Sequence, residues 1–143
     1  MPARDRDPDG RARQARPRDA LGRPLPYGSP GVEPVSEEAL PPAETIAAAA
    51  RLLDEGRPFA AHEVFEARWK DSPAVERHLW QGMAQLCVAV THAMRGNRTG
   101  AARVLGRGIG HLSAYDGPTY GLDVDGWVAR AQAAVDAATP SDR

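Results

Sequence analysis

Phe59-Ala-Ala-His-Glu-Val-Phe-Glu-Ala-Arg-Trp69 has the spacing of an amphipathic α-helix. At ~100° per residue, one stripe of this helix holds four side chains: Phe59, His62, Glu66 and Trp69. A helix normally turns its apolar stripe toward the core and its charged residues toward water. Burying a histidine and carboxylates costs free energy unless they are paired, hydrogen-bonded or bound to a ligand. The segment therefore predicts a polar site, but it specifies no reaction, and whether the protein is an enzyme stays open.

The composition predicts one small cytoplasmic domain. The chain has 143 residues, a formal net charge of −1 and one cysteine, Cys87. This length fits a single domain. A single cysteine excludes an intramolecular disulfide framework, which fits a reducing compartment. We find no signal-peptide pattern and no apolar run of membrane-spanning length, so no membrane association is predicted. Cys87 falls on the apolar flank of its helix and is predicted to be a core residue.

The fold class is predicted to be all-α, a compact bundle of about five helices with an extended N-terminal arm. Helical patterns cover about residues 42–55, 58–70, 73–95 and 99–113, and a fifth follows a cap at Asp123 or Asp125. Asp71-Ser72-Pro73 reads as the start signal of the third helix. Glycines in the fourth helix lower its propensity or permit close packing. Short connections predict antiparallel neighbours.

Three regions are predicted along the chain. Residues 1–42 hold nine of the 13 prolines, seven arginines and seven acidic residues, and form a largely disordered or extended arm. Within this arm, Leu21, Leu25 and Tyr27 could lie against the folded part, or the run could be a solvated tail. Residues 43–138 form a single helical domain, and residues 139–143 form a disordered tail.

The third helix carries a second polar stripe. Gln81, Gln85 and His92 are spaced by 4 and 7 residues and share one face, with His78 close by. Because a short turn joins the second and third helices, we expect this face to meet the polar stripe of the second helix. The predicted ligand-binding site therefore has seven members: His62, Glu63, Glu66, Trp69, Gln81, Gln85 and His92.

Three interpretations of this site stay open. A hydrogen-bonded network could fix the helix register in a non-catalytic interaction or oligomerisation module, including a homo-oligomer. A small polar ligand or a divalent metal ion could bind, with His62 and Glu66 as metal ligands at i, i+4 spacing. Acid–base chemistry would use Glu63, Glu66 or His62 as catalytic groups. The HExxE pattern lacks the second histidine of the zinc motif HExxH, and the third helix offers no carboxylate for a di-iron site.

An arginine patch is the single hint of phosphate or RNA binding. Residues 77–115 contain five arginines and no acidic residue, and Arg103 and Arg107 are i, i+4 neighbours. Salt bridges to acidic helices or a solvated face explain the same pattern. No aromatic residues are interleaved to stack on bases, so nucleic acid is the weaker interpretation.

Several motifs together resemble the signature of the bacterial and archaeal domain of unknown function 309 (DUF309) family, over about residues 43–130. They are Gly56-x-x-Phe59-x-x-His62-Glu63-x-x-Glu66-x-x-Trp69, Trp80-Gln81-Gly82-x-x-Gln85, His92-x-x-Arg95-Gly96-Asn97 and Tyr120-Gly121-Leu122-Asp123. The arm is similar to the N-terminal extension of high-GC bacterial members. Family members often have Glu or His where Ala60 stands. The resemblance implies a compact all-α cytoplasmic protein and one functional unit of site residues, but no activity.

Overall fold

The computed structural model describes residues 18–26, 31, 35–36 and 38–138. These residues form five α-helices, and a short 3₁₀ turn at Ala74–Glu76 precedes the third. The helices are α1 (Pro42–Asp54), α2 (Pro58–Asp71), α3 (Arg77–Met94), α4 (Arg98–Ala114) and α5 (Val124–Ala137). The predicted all-α bundle is therefore confirmed. None of the helices in the described part has the length and hydropathy needed to cross a membrane.

The predicted start of the third helix is wrong. Ser72 does not cap α3, because its hydroxyl donates to the Trp69 carbonyl at 3.1 Å and closes α2 instead. Pro73 is extended and leads into the 3₁₀ turn, so α3 begins at Arg77. Of the two predicted caps for the fifth helix, Asp123 is the one whose carboxylate accepts from the Gly126 amide, at 3.0 Å.

Helix α3 is the centre of the bundle and packs against α2, α4 and α5. Leu79, Trp80 and Met83 are fully buried on it, and Cys87 is buried as predicted. The Trp80 indole donates to the Glu76 carboxylate at 3.0 Å, so burial leaves its one polar atom satisfied.

Two glycines bring α3 and α4 into backbone contact. A Cβ at Gly82 would lie 2.7 Å from Cγ of Leu112 and 3.1 Å from the Gly108 carbonyl oxygen. A Cβ at Gly108 would lie 3.2 Å from the Gly82 carbonyl oxygen. All three distances are shorter than ordinary carbon contacts, so only glycine permits this crossing without a shift.

Gly82→Ala should lower the free energy of unfolding by about 1–3 kcal/mol, because the added methyl group overpacks the crossing. Gly106→Ala is the matched control. Its Cβ would meet no atom within 4 Å, so it should stabilise the same helix pair by up to about 1 kcal/mol. Denaturant unfolding monitored by circular dichroism measures both changes. Equal effects of the two substitutions would contradict the tight crossing.

Candidate functional site

The polar stripe of α2 forms a chain of contacts one helical turn apart. His62 Nε2 lies 2.7 Å from Glu66 Oε2, and Lys70 Nζ lies 2.9 Å from Glu66 Oε1. The second ring nitrogen of His62, Nδ1, lies 3.1 Å from the Phe59 carbonyl oxygen. Both carboxylate oxygens of Glu66 therefore have partners, and both nitrogens of His62 face an oxygen.

These contacts keep Glu66 ionised. The hydrogen bond from His62 lowers the pKa of Glu66 to about 2, against the opposing effect of partial burial, and the Lys70 ammonium adds to the lowering. Charge-assisted hydrogen bonds on both oxygens fix the position of this carboxylate. Glu66 therefore positions His62 on the surface of α2.

Glu63 differs from Glu66 although it lies only one turn away. Its side chain is half-buried, and desolvation raises its pKa, while the positive charges of His62 and Arg18 act in the opposite direction. Among the described residues, no hydrogen bond reaches its carboxylate. Within the described part of the chain, Glu63 is therefore the carboxylate of this stripe that accepts no hydrogen bond.

The N-terminal segment 18–26, which we call the arm turn, packs on the bundle beside this stripe. The Gly22 backbone lies against the Phe59 ring so closely that a Cβ at Gly22 would be 2.3 Å from Phe59 Cγ. Arg95, at the end of α3, donates a hydrogen bond from Nη2 to the Leu21 carbonyl. The arm turn therefore connects the start of α2 with the end of α3.

The arm turn is held by its own hydrogen bonds. The Asp19 carboxylate accepts from the backbone amides of Leu21 and Arg23 at 3.0 and 2.9 Å, and from Arg23 Nε at 2.8 Å. Arg18 Nη1 donates to the Gly22 carbonyl at 2.7 Å. The sequence left two alternatives for this part of the arm, packing on the folded part or a solvated tail. Residues 18–26 pack on the folded part. Tyr27 lies outside the described residues, and so do the segments 1–17 and 139–143 for which disorder or extension was predicted.

The polar stripe of α3 makes its contacts toward α4. A Cβ built on Gly108 of α4 would lie 3.3 Å from the Gln85 Cβ. The Gln85 amide oxygen is buried and has no hydrogen-bond partner in the described part of the chain. His92 Nδ1 lies 3.3 Å from the Asn97 amide nitrogen in the turn before α4. Gln81 is partly exposed.

The structure thus brings together part of the predicted site. His62 and Glu66 are in contact, with Glu63 beside them, and Trp69 is half-buried on the core at the end of α2. No hydrogen bond among the described residues joins this group to the stripe of α3. The single seven-residue constellation therefore stays a prediction.

Sequence reasoning missed two contributors to this region. Lys70 stands four residues after Glu66, and this spacing is the ordinary signal for an ion pair on a helix. The arm turn carries the pattern Asp19-Ala-Leu-Gly22, in which an aspartate caps nearby amides and a glycine adopts positive φ, here +77°. Both signals were present in the sequence.

The contacts of the α2 side chains do not favour a metal ion at His62 and Glu66. Within the described ranges, no three His, Cys, Asp or Glu side chains are placed to hold a metal ion. The Lys70 ammonium already pairs with the second oxygen of the Glu66 carboxylate. A cation would have to displace a charge of its own sign.

Glu66→Gln should make stability less dependent on pH. Because the pKa of Glu66 is lowered on folding, its stabilising contribution is present above the unfolded value of about 4.5 and is lost as the pH falls toward 2. We expect a loss of about 1 kcal/mol at pH 7, since the pair is partly exposed, and no loss near pH 2. Urea unfolding at several pH values measures this difference. Glu38→Gln, on an exposed residue, should be neutral throughout, and a loss that persists at pH 2 would contradict the assignment.

Gly22→Ala should release the arm turn from α2. The methyl group would overlap the Phe59 ring, and φ of +77° is strained for alanine. Amide hydrogen exchange of residues 21–23 should accelerate at least tenfold while the helices keep their protection. Gly121→Ala is the control. Gly121 has a similar φ of +82°, but a Cβ there would meet no atom within 4 Å, so this variant carries the backbone strain without the steric overlap. Unchanged exchange in Gly22→Ala would show that the arm turn does not depend on this contact.

Comparison with known proteins supports the motif-based assignment. Residues 46–104 match the family described as Domain of unknown function (DUF309). The uncharacterized protein YpuF of Bacillus subtilis (strain 168) is 40% identical over 57 residues, which cover 39% of this chain and 33% of YpuF. The chain thus matches about a third of the length of this relative, and no solved structure matches. The predicted DUF309 resemblance is thereby confirmed for residues 46–104, which contain the whole of α2 and α3.

Proposed function

We propose that this protein binds a small polar ligand at the N-terminal half of α2, with Glu63 accepting hydrogen bonds from the ligand. The observation that carries the proposal is the contrast between the two carboxylates of this helix. Glu66 pairs with His62 through one carboxylate oxygen and with Lys70 through the other. Glu63 is half-buried, has a raised pKa and accepts no hydrogen bond from a described residue.

A partly desolvated acceptor without a partner is a source of unfavourable free energy that a ligand can relieve. The ligand class that does so carries N–H or O–H donors. Since the Arg18 guanidinium already places positive charge near Glu63, the ligand does not need to be a cation. In this assignment Glu63 is the contact group, while His62 and Glu66, which the sequence predicted as metal ligands, hold each other in place.

The same carboxylate is the group best suited to acid–base chemistry. A raised pKa brings a glutamate closer to the pH at which proton transfer in either direction is efficient. We therefore assign any catalytic role of this stripe to Glu63 rather than to Glu66, whose pKa of about 2 makes it a poor proton donor. The reaction and its substrate are not part of the proposal.

The arm turn would form one side of the binding site. It packs on Phe59, which precedes Glu63 by one helical turn, and it carries Arg18, whose charge acts on Glu63. The Nε atom of Arg18 is buried and has no hydrogen-bond partner among the residues that the structure describes. A ligand with an acceptor next to its donors would satisfy Arg18 and Glu63 together.

The other interpretations have less support. A network that fixes helix register needs bonds between helices, whereas the bonds of His62, Glu66 and Lys70 all lie within α2. Arg103 and Arg107 are exposed and form no ion pair among the described residues, which suits a solvated face as well as a phosphate site. Homo-oligomerisation and a cytoplasmic location remain proposals from the sequence alone.

The test is an NMR titration of the isotope-labelled full chain with four probes: methylammonium, guanidinium, acetamide and urea. We expect the amides around Glu63 to shift with at least one probe. Glu63→Gln should weaken that binding by about tenfold or more, the effect of losing a hydrogen bond to a charged group. Glu38→Gln removes the same charge from an exposed position and should leave the affinity unchanged. Equal binding by wild type and Glu63→Gln, or no shift near Glu63 with any probe, would refute the proposal.

A further inference from the structure

Two histidines outside the α2 stripe meet where α3 begins and α4 ends. His78 Nδ1 lies 2.9 Å from His111 Nδ1, and the two ring centroids are 5.2 Å apart with the ring planes tilted by 34°. His78 is exposed and His111 is half-buried, so solvent reaches the pair. Neither residue takes part in the proposed polar-ligand site.

The pair is positioned by the tight crossing of α3 and α4. His78 stands one helical turn before Gly82, and His111 stands one turn after Gly108. Because these glycines hold the two backbones in contact, the rings that project beside the crossing are brought within bonding distance. The arrangement therefore rests on the best-packed part of the bundle rather than on a loop.

We propose that His78 and His111 form a two-nitrogen binding site for a divalent transition-metal ion, with water completing the coordination. Neutral imidazole is the commonest protein ligand for such ions. One nitrogen from each of two rigid helices gives a chelate whose geometry the fold sets in advance.

The two nitrogens are close enough to share one ion. With metal–nitrogen bonds of roughly 2.0–2.1 Å, two neighbouring ligands are about 2.9 Å apart at right angles and about 3.3 Å apart at the tetrahedral angle. The observed 2.9 Å, which is also a normal hydrogen-bond length, lies at the lower end of this range. Cu(II) binds nitrogen ligands more tightly than Ni(II) or Zn(II), so it is the ion expected to occupy the pair first.

Protons balance when the ion binds. In the pair, one neutral ring donates its Nδ1–H to the Nδ1 lone pair of the other. On metal binding, the donor ring changes tautomer and carries its proton on Nε2, so that both Nδ1 lone pairs turn to the ion and no proton leaves the rings.

The experiment is a calorimetric titration of the untagged 143-residue chain with CuCl₂, NiCl₂ and ZnCl₂. Electron paramagnetic resonance of the Cu(II) form then reports which atoms coordinate the ion. We expect Cu(II) to bind tighter than Ni(II) or Zn(II), and its spectrum to show two equatorial nitrogens. His78→Gln and His111→Gln should each weaken Cu(II) binding at least tenfold. His92→Gln, which alters another histidine of α3 outside the pair, should not.

Three results would overturn the site. Cu(II) affinity could be unchanged in both single variants, or the wild-type spectrum could lack a pair of equatorial nitrogens. Loss of binding in His62→Gln but not in His78→Gln would place the ion on α2 instead. Since His78 is exposed, His78→Gln should fold normally, and its circular dichroism spectrum and unfolding midpoint check this directly.

Discussion

Burial of α3 on almost every side is the constraint on which the arrangement of the bundle depends. Three neighbouring helices cover it, and Leu79, Trp80 and Met83 have no exposed surface. Uncompensated polar groups on these covered faces would cost more free energy than a domain of this size can lose. The buried polar groups of α3 away from its partly open stripe have partners: the Thr91 hydroxyl donates to the Cys87 carbonyl, and the Trp80 indole donates to Glu76. Ligand chemistry is consequently expected beside α3, on α2 and at the edge of α4.

The two carboxylates of α2 show how one helix can give the same side chain opposite properties. Glu66 lies within hydrogen-bond distance of two groups that carry or can carry positive charge, and its pKa falls. Glu63 lies on the more buried flank, and its pKa rises because desolvation outweighs its charged neighbours. Such a separation of pKa values between nearby groups is a general sign that their functions differ. It supports a structural role for Glu66 and a ligand contact for Glu63.

The sequence allowed the helices and one half of the site to be predicted. Gly56 and Pro58 mark the turn into α2, and the i, i+4 spacing of His62 and Glu66 predicted a contact that the structure contains. The neighbour of the α3 stripe could not be predicted in this way. Helical periodicity shows that Gln85 and His92 share a face, but not which of several neighbouring helices that face meets.

Contacts between distant parts of the chain explain the remaining differences. The arm turn docks because Gly22 fits against Phe59, and no local pattern encodes a contact between residues so far apart in the chain. The His78–His111 pair likewise depends on the glycine crossing of α3 and α4 rather than on either helix alone. The start of α3 was mispredicted because Ser72 can either close the preceding helix or cap the following one, and local sequence fits both.

The most direct measurement is an NMR titration of the side-chain carboxyl carbons of Glu63 and Glu66 in the folded protein. We expect the pKa of Glu63 to lie above the ordinary glutamate value of 4.5 and the pKa of Glu66 to lie near 2. Titration of Glu63 at or below 4.5, with Glu66 at its ordinary value, would contradict the division of roles between the two carboxylates.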